Sequence, residues 1–490
     1  MNHEPTHSKS EAPTSGKGEV TKAHRWLLPV LLIAQLMVIL DITAVNIALP
    51  HIATDLQLSG PNISWTITSY SVIFGSLLLF GGRAADLLGR RRMFLAGLGV
   101  FTASSFASAM AGSAAALFAA RAGQGLGAAT LSPAALSIVM AAFHGQHRAK
   151  ALAAWGAIGG AGAAIGVVVG GVLTEFTDWR MIFYVNLPVA AVLLFASLKV
   201  VPADTQKPRW RGLDLAGAAL ATTSLAAIVY GITQADSAGW TSIQTHLCGL
   251  GGLAGLAAFA IYERHIDAPL LRVERIADRA VGGGLVLMLA AAGSIFGLFL
   301  LCSLYLQGVL GMGPLATGFS FIPLAVAAGI GAHLAGHLIA RHGVRGPLAG
   351  AFLIGAAGMF LLSRVPESGS YLSDVLPGML VAGLGLGVAV VTVSVSILTG
   401  SRAEEAGMLS GLNSTGHEIG GTLGIAIFST IAAGASGAIL GPHAASGIGQ
   451  AFLVAAVVAT LASLVAIAVL PQAKHFLPKL RLNPQAMPVH

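Results

Sequence analysis

"GGRAADLLGRRR", residues 81–92, lies between two apolar runs, and a relaxed version of it returns as "GHLIARHGVR", residues 336–345. Gly82, Gly89 and Arg91 align with Gly336, Gly343 and Arg345 at one constant offset of 254 residues. A second pair, "AGQGLGAAT" at 122–130 and "AGLGLGVAV" at 382–390, matches at an offset of 260. Two separate matches imply that one half of the chain repeats the other.

The repeating unit is apolar. Hydrophobic residues make up 55% of the 490, charged residues 10%, and the mean hydropathy is +0.80, a composition of membrane proteins rather than soluble domains. Crossing a ~30 Å hydrocarbon core takes roughly 20 apolar residues. Fourteen such runs are read, from 26–49 to 450–470, so the expected fold is an all-α membrane protein. Spans 1 to 6 repeat as spans 9 to 14, which is how one large group of secondary transporters is built. The expected organisation is a disordered cytoplasmic tail (1–24), with no cleavable leader, and an N-terminal six-helix half (25–200). Two inserted linker helices with charged loops (201–279), a C-terminal six-helix half (280–471) and a cytoplasmic tail (472–490) follow.

Lys and Arg collect in cytoplasmic loops. With the amino terminus inside, inner segments hold 24 of the 27 basic residues, outer segments hold Arg180 and Arg364, and Arg121 lies within a span. Both termini are therefore expected in the cytoplasm, and the net charge of +7 reflects orientation, not nucleic-acid binding. Cys248 and Cys302 fall within spans, which argues against a disulfide framework. No G-x-x-x-x-G-K-[ST] occurs, so nothing supports a nucleotide-driven pump. His333 and His337, one turn apart, make a weak metal site, since two His alone are a poor ligand set; no metal or cofactor is expected.

Charges inside the spans carry the functional signal. "LDITAVNIALP", residues 40–50, places Asp41 in a run whose nearest strongly polar residues are Gln35 and Asn46. A buried charge at mid-bilayer costs at least ~2.5 to 3.5 kcal/mol on insertion scales, which marks a functional site by default. Counting rise per residue puts Asp41 ~21 Å above the inner surface and Arg121, on the oppositely directed span 4, at nearly the same height. The pair can meet, holding Asp41 ionised until substrate or helix movement lets it take a proton; the bland alternative is a structural ion pair. Glu418, beside His417, is the other deep acid, suited to a second protonation or a cationic substrate, or merely to interhelical bonding. The second repeat has Ala340 where the first has Asp86, and Val381 where the first has Arg121, so the fold itself does not demand those charges.

These residues resemble the fourteen-helix drug/proton antiporter branch of the major facilitator superfamily over nearly the whole chain. "LDITAVNIALP" resembles its first-helix motif, Gly82–Arg91 the superfamily loop motif G-x-x-x-D-x-x-G-R-R/K, and "RAGQGLGAA" (121–129) the fourth-helix motif. "DWRMIFYVNLP" (178–188) and "GHEIGGTLGIA" (416–426) look like further segments of the branch. The span-5 motif departs from the pattern: Val167 stands where Pro is expected, while Gly162, Gly166, Gly170 and Gly171 keep close helix packing available.

The resemblance implies a monomeric, proton-coupled exporter of lipophilic drugs, cations included, in a bacterial cytoplasmic membrane. Proton coupling falls to Asp41, Arg121 and Glu418, and gating to Gly82, Asp86, Gly89, Arg90 and Arg91, with Asp86 near the amino-terminal end of span 13. Asn46, Tyr70, Phe74, Gln124, Trp155, Met288 and Phe296 are the candidate substrate contacts, an adaptable and largely apolar set. The alternatives are proton-coupled uptake of a small metabolite and, from another class, a membrane-embedded sensor or enzyme, for which no paired catalytic acids, metal cluster or soluble domain speaks.

Overall fold

The computed structural model describes residues 22–58, 60–143, 145–204, 207–210, 212–267, 269–398, 406–436, 441 and 443–472. The expected polar tails fall outside these residues, apart from the start of the first helix and residue 472. Among the described residues sixteen α-helices are found, besides four short 3-10 or π turns: α1 (Lys22–Asp55), α2 (Trp65–Leu88), α3 (Arg90–Ala109), α4 (Ala114–Ala142), α5 (Gly145–Phe176), the short α6 (Met181–Tyr184), α7 (Asn186–Val200), α8 (Leu215–Ala238), α9 (Ile243–Glu263), α10 (Arg279–Leu304), α11 (Pro314–Ser320), α12 (Ile322–His342), α13 (Arg345–Leu362), α14 (Leu376–Leu398), α15 (Ala406–Ser436) and α16 (Ala444–Val469). Over the described residues, twelve segments are long and apolar enough to cross a membrane. α3, which opens on Arg90–Arg92, and α15, which carries His417 and Glu418, are also long but are not among those twelve.

The packing repeats along the chain. α1 lies on α5, α2 and α3 on α4, and α3 on α7; likewise α10 lies on α15, α12 and α13 on α14, and α13 on α16. Glycines set these close approaches. Gly125 sits on the Tyr70 carbonyl and Gly127 on Phe101, while Gly385 sits on Gly355 and Gly387 on Ala328, so both copies of the G-x-G stretch are seams. α8 and α9 pack on each other, α8 touches α2 and α15, and only 11% of the α9 span is buried, which leaves this pair at the periphery.

Two ends of the bundle can be told apart. One, the basic end, carries the α2–α3 turn with Arg90–Arg92 and the α12–α13 turn with Arg341 and Arg345; the far end carries Pro50 and Asp55. α2 and α15 run antiparallel against each other, Leu79 beside Gly411, Gly75 beside Glu418, and Val72 beside Thr422. On the other seam the two halves are bonded to each other at the far end. There Ser303 donates to the Asn46 carbonyl at 3.0 Å, Gln307 donates to the Ile47 carbonyl at 3.0 Å, and the Leu315 N–H points to Glu175 at 3.4 Å. Gly171 lies on Pro314 and Gly318 on the Val167 carbonyl. Nearer the basic end, Gly156 and Gly159 of α5 and Gly329 of α12 face open space. α5 has no internal Pro and runs unbroken through Val167.

The chemistry of the first bond follows from Pro50. A proline inside a helix has no N–H, so the carbonyl four residues back loses its helical donor. For Pro50 that carbonyl belongs to Asn46, and the Ser303 hydroxyl from the other half fills the gap.

Candidate functional site

Asp41 and Arg121 meet in the interior of the first half. Arg121 Nη1 donates to Asp41 Oδ2 at 2.5 Å, and both side chains are wholly buried. Asp41 Oδ1 accepts from Gln124 Nε2 at 2.8 Å and from Asn186 Nδ2 at 3.0 Å. Arg121 also donates Nη1 to Gln124 Oε1 at 2.9 Å and Nε to the Thr66 carbonyl at 3.1 Å. Gln124 donates to Ser105 at 2.8 Å and accepts from Ser108 at 3.0 Å. The guanidinium stacks 4.5 Å over the Tyr70 ring and 5.7 Å from that of Phe183. One network thus joins α1, α2, α3, α4 and α7, with its charges cancelled in place. A buried ion pair overcomes its desolvation most fully when its remaining valences are filled; here donors converge on both carboxylate oxygens, while Arg121 Nη2 finds no partner among the described residues.

Glu418 lies across the α2/α15 seam from this pair. Its side chain is 13% exposed, Oε1 is 3.4 Å from His417 Nδ1, and Oε2 has no partner among the described residues. The His417 ring meets Phe296 edge-on at 5.4 Å, and Phe296 lies over Gly421. Tyr70, whose ring lies under the Arg121 guanidinium, has a hydroxyl with no partner among the described residues.

The other sequence candidates scatter. Tyr70, Phe74 and Met288 are buried in apolar core, whereas Trp155 and Phe296 are half-buried at its edge. Asn46 donates to the Ile42 carbonyl within its own helix, and Gln124 belongs to the ionic network. Gly162 packs on Leu36 and Ile39, Gly166 on Thr43, Gly170 on Ala44, and Gly171 across the halves on Pro314. Sequence reasoning passed over Asn186, Ser105 and Ser108; Asn186 stands inside "DWRMIFYVNLP", and its lone amide in an apolar run was the available signal.

At the basic end, Asp86 pairs with Arg90 at 3.4 Å on the surface. Its expected neighbour, the amino-terminal end of span 13, directly follows residues 399–405, which lie outside the described residues. The turn is held instead by Asp204, from the segment after α7: its carboxylate accepts the backbone N–H groups of Arg91 at 3.1 Å and Arg92 at 3.0 Å, capping α3. Gly89 has φ +111° and lies so close to Asp204 that a Cβ would collide with the carboxylate. Arg91 donates to the Leu198 carbonyl at 2.7 Å, and Arg209 N–H to that of Leu87 at 2.9 Å, so the segment is laced under α2 and α3. Gly82 packs loosely, with Pro133 at 3.8 Å.

The profile of the Major Facilitator Superfamily matches residues 31–425. The chain belongs to the major facilitator superfamily. It is 40% identical over 425 residues to the puromycin resistance protein pur8 of Streptomyces alboniger, covering 86% of this chain and 84% of that one. It is 34% identical over 424 residues to the cephamycin export protein CmcT of Amycolatopsis lactamdurans, covering 86% and 87%. In fold it is similar to a bacterial homologue of the human lysosomal transporter Spinster in an inward-facing, unoccupied conformation, with a TM-score of 0.63, 16% identity, and 94% and 98% of the two chains covered. This facilitator is therefore a multi-pass transporter of the plasma membrane and not an enzyme.

Proposed function

We propose that this facilitator exports small lipophilic antibiotics from the cytoplasm in exchange for protons, with fourteen spans, both termini inside and the basic end facing the cytoplasm. The halves 25–200 and 280–471 rock about Asp41 and Glu418, and the conformation described here, pinned at the far end, is the one that loads drug from inside. The observation that carries the reading is the buried Asp41–Arg121 pair. With its partners it holds Asp41 locked, the proton having left for the cytoplasm; with the far end open, a proton reaching Asp41 from outside cancels the attraction and keeps α1 released from α4 and α7. That release travels up α1 to Asn46, five residues on, whose carbonyl bonds Ser303 in the other half. The resistance and export relatives support drug as the cargo. Asp41 is sealed off in this state, so recognition of a cationic drug falls to the free Oε2 of Glu418, flanked by Phe296.

A proton entering down 100 mV releases ~2.3 kcal/mol. Export of a monovalent cation against that voltage then requires two protons per cycle, and Asp41 and Glu418 supply two acids. The test is proton movement in proteoliposomes carrying a pH dye, challenged with puromycin-like cations and neutral antibiotics. Drug-triggered proton efflux that vanishes in Asp41→Asn is expected. Coupling that survives Asp41→Asn removes Asp41 from the proton path, and a protein that moves no protons with any compound is not an antiporter.

A further inference from the structure

The inserted helices end, on the basic side, in a buried pair of carboxyl groups that drug export as proposed does not use. Asp214 caps α8, its Oδ1 accepting the Gly217 N–H at 2.7 Å. Glu263, the last residue of α9, accepts the Leu271 N–H through Oε2 at 3.0 Å. The second oxygen of each, Asp214 Oδ2 and Glu263 Oε1, is buried and has no donor among the described residues. Both converge on one point above Gly217, where a Cβ would collide with the Asp214 oxygen and lie 2.7 Å from that of Glu263. Asp214 is 7% exposed and Glu263 3%, and among the described residues neither makes a salt bridge. Among the described residues the charges facing the pair come from its own two members, and Tyr262, beside Asp214, is the further titratable group set against it.

Two carboxylates in contact cannot both stay ionised in a buried site, whereas an O–H···O⁻ bond between them is short and strong. We propose that Asp214 and Glu263 form a proton-binding site in which one proton, taken from the cytoplasmic side, is shared between Asp214 Oδ2 and Glu263 Oε1. The proton is bound without other covalent change and returns to water when the pair separates. It clamps three segments: the linker from the first half, which Asp204 and Arg209 lace to α2 and α3, the end of α9, and, through Leu271, the segment leading into α10. The inserted pair thus responds to pH on the basic side, apart from Asp41.

The folded protein then holds one proton more than the unfolded chain, and its folded-to-unfolded ratio falls by up to about tenfold per pH unit while that proton is lost. Full-length protein in nanodiscs would be melted from mildly acidic to mildly alkaline pH as wild type, Glu263→Gln and Asp214→Asn. Either amide donates a permanent N–H to the remaining carboxylate. Wild-type Tm should fall with pH, both variants should hold the acid-side value, and a protonated-carboxyl infrared band should be present only in wild type. The amide oxygen introduced by Asp214→Asn keeps the cap on Gly217, so this variant decides the matter if Glu263→Gln does not fold. Parallel pH profiles in all three proteins would overturn the proposal. So would Na⁺, K⁺ or Ca²⁺ raising the alkaline Tm of wild type alone, which would make the pair a metal-cation site.

Discussion

Removing the Ser303 hydroxyl should unlatch the far end. Ser303 is fully buried and Asn46 is 6% exposed, so Ser303→Ala leaves the Asn46 carbonyl without Ser303, and Pro50 denies it a helical donor. An unsatisfied buried carbonyl costs about 1 to 3 kcal/mol, and that cost is relieved only when the far end opens and water reaches it. The ratio of far-end-closed to far-end-open molecules should therefore drop on the order of 5- to 150-fold. Pro50→Ala makes a sharper test, because its two effects differ in sign. It removes a helix defect of ~3 kcal/mol, yet its new N–H competes with Ser303 for the same carbonyl, so α1 is stiffened while the latch is weakened. Spin labels at Thr54 and Leu372, both exposed near the far end, one in each half, report the opening as a longer distance population. If both variants keep the wild-type distance distribution, the Asn46–Ser303 bond is a bystander and the route from Asp41 to the far end fails.

Three further outcomes follow from the geometry. Asp41→Asn strands a wholly buried Arg121 and should lower stability by about 3 to 5 kcal/mol, most of it regained in Asp41→Asn/Arg121→Gln, read as Tm in detergent. Asp204→Ala should cost about 0.5 to 2 kcal/mol and speed hydrogen exchange of the Arg91 and Arg92 amides, whereas Asp204→Asn, which keeps an acceptor, should do neither at full strength. Gly424→Ala drives a methyl into the Gly293 backbone and should lose about 1 to 3 kcal/mol, while Gly159→Ala, facing open space, should leave Tm unchanged.

Much of this was legible in the sequence, for reasons that differ by residue. Asp41 and Arg121 could be paired from rise per residue and alternating direction, because a bilayer fixes depth and leaves few places for a charge. The repeat could be read because Gly125, Gly127, Gly385 and Gly387 all mark seams where a Cβ has no room. The apolar candidates were harder: Tyr70, Phe74 and Met288 turned out buried, since hydropathy gives an aromatic the same score whether it faces a cavity, a neighbour or lipid. Asp204 was invisible, because its partners are the backbone N–H groups of Arg91 and Arg92, and a backbone donor leaves no trace in residue identity.

The same limit explains why Pro50 is the informative end of "LDITAVNIALP". Asp41 announces itself by cost, but Pro50 acts by subtraction: it deletes a donor, and what matters is the Asn46 carbonyl left behind and the Ser303 that reaches it from the other half. The motif holds a buried acid, Asp41, and the acceptor that bonds the opposite half, Asn46, on one helix, five residues apart. Within a rigid α-helix, loss of the Arg121 bond at one position cannot be absorbed locally without moving the other. On the proposed mechanism, coupling of a proton to the far end needs no longer pathway than α1 itself, and the Thr54–Leu372 distance measured in Asp41→Asn should shift in the same direction as in Ser303→Ala.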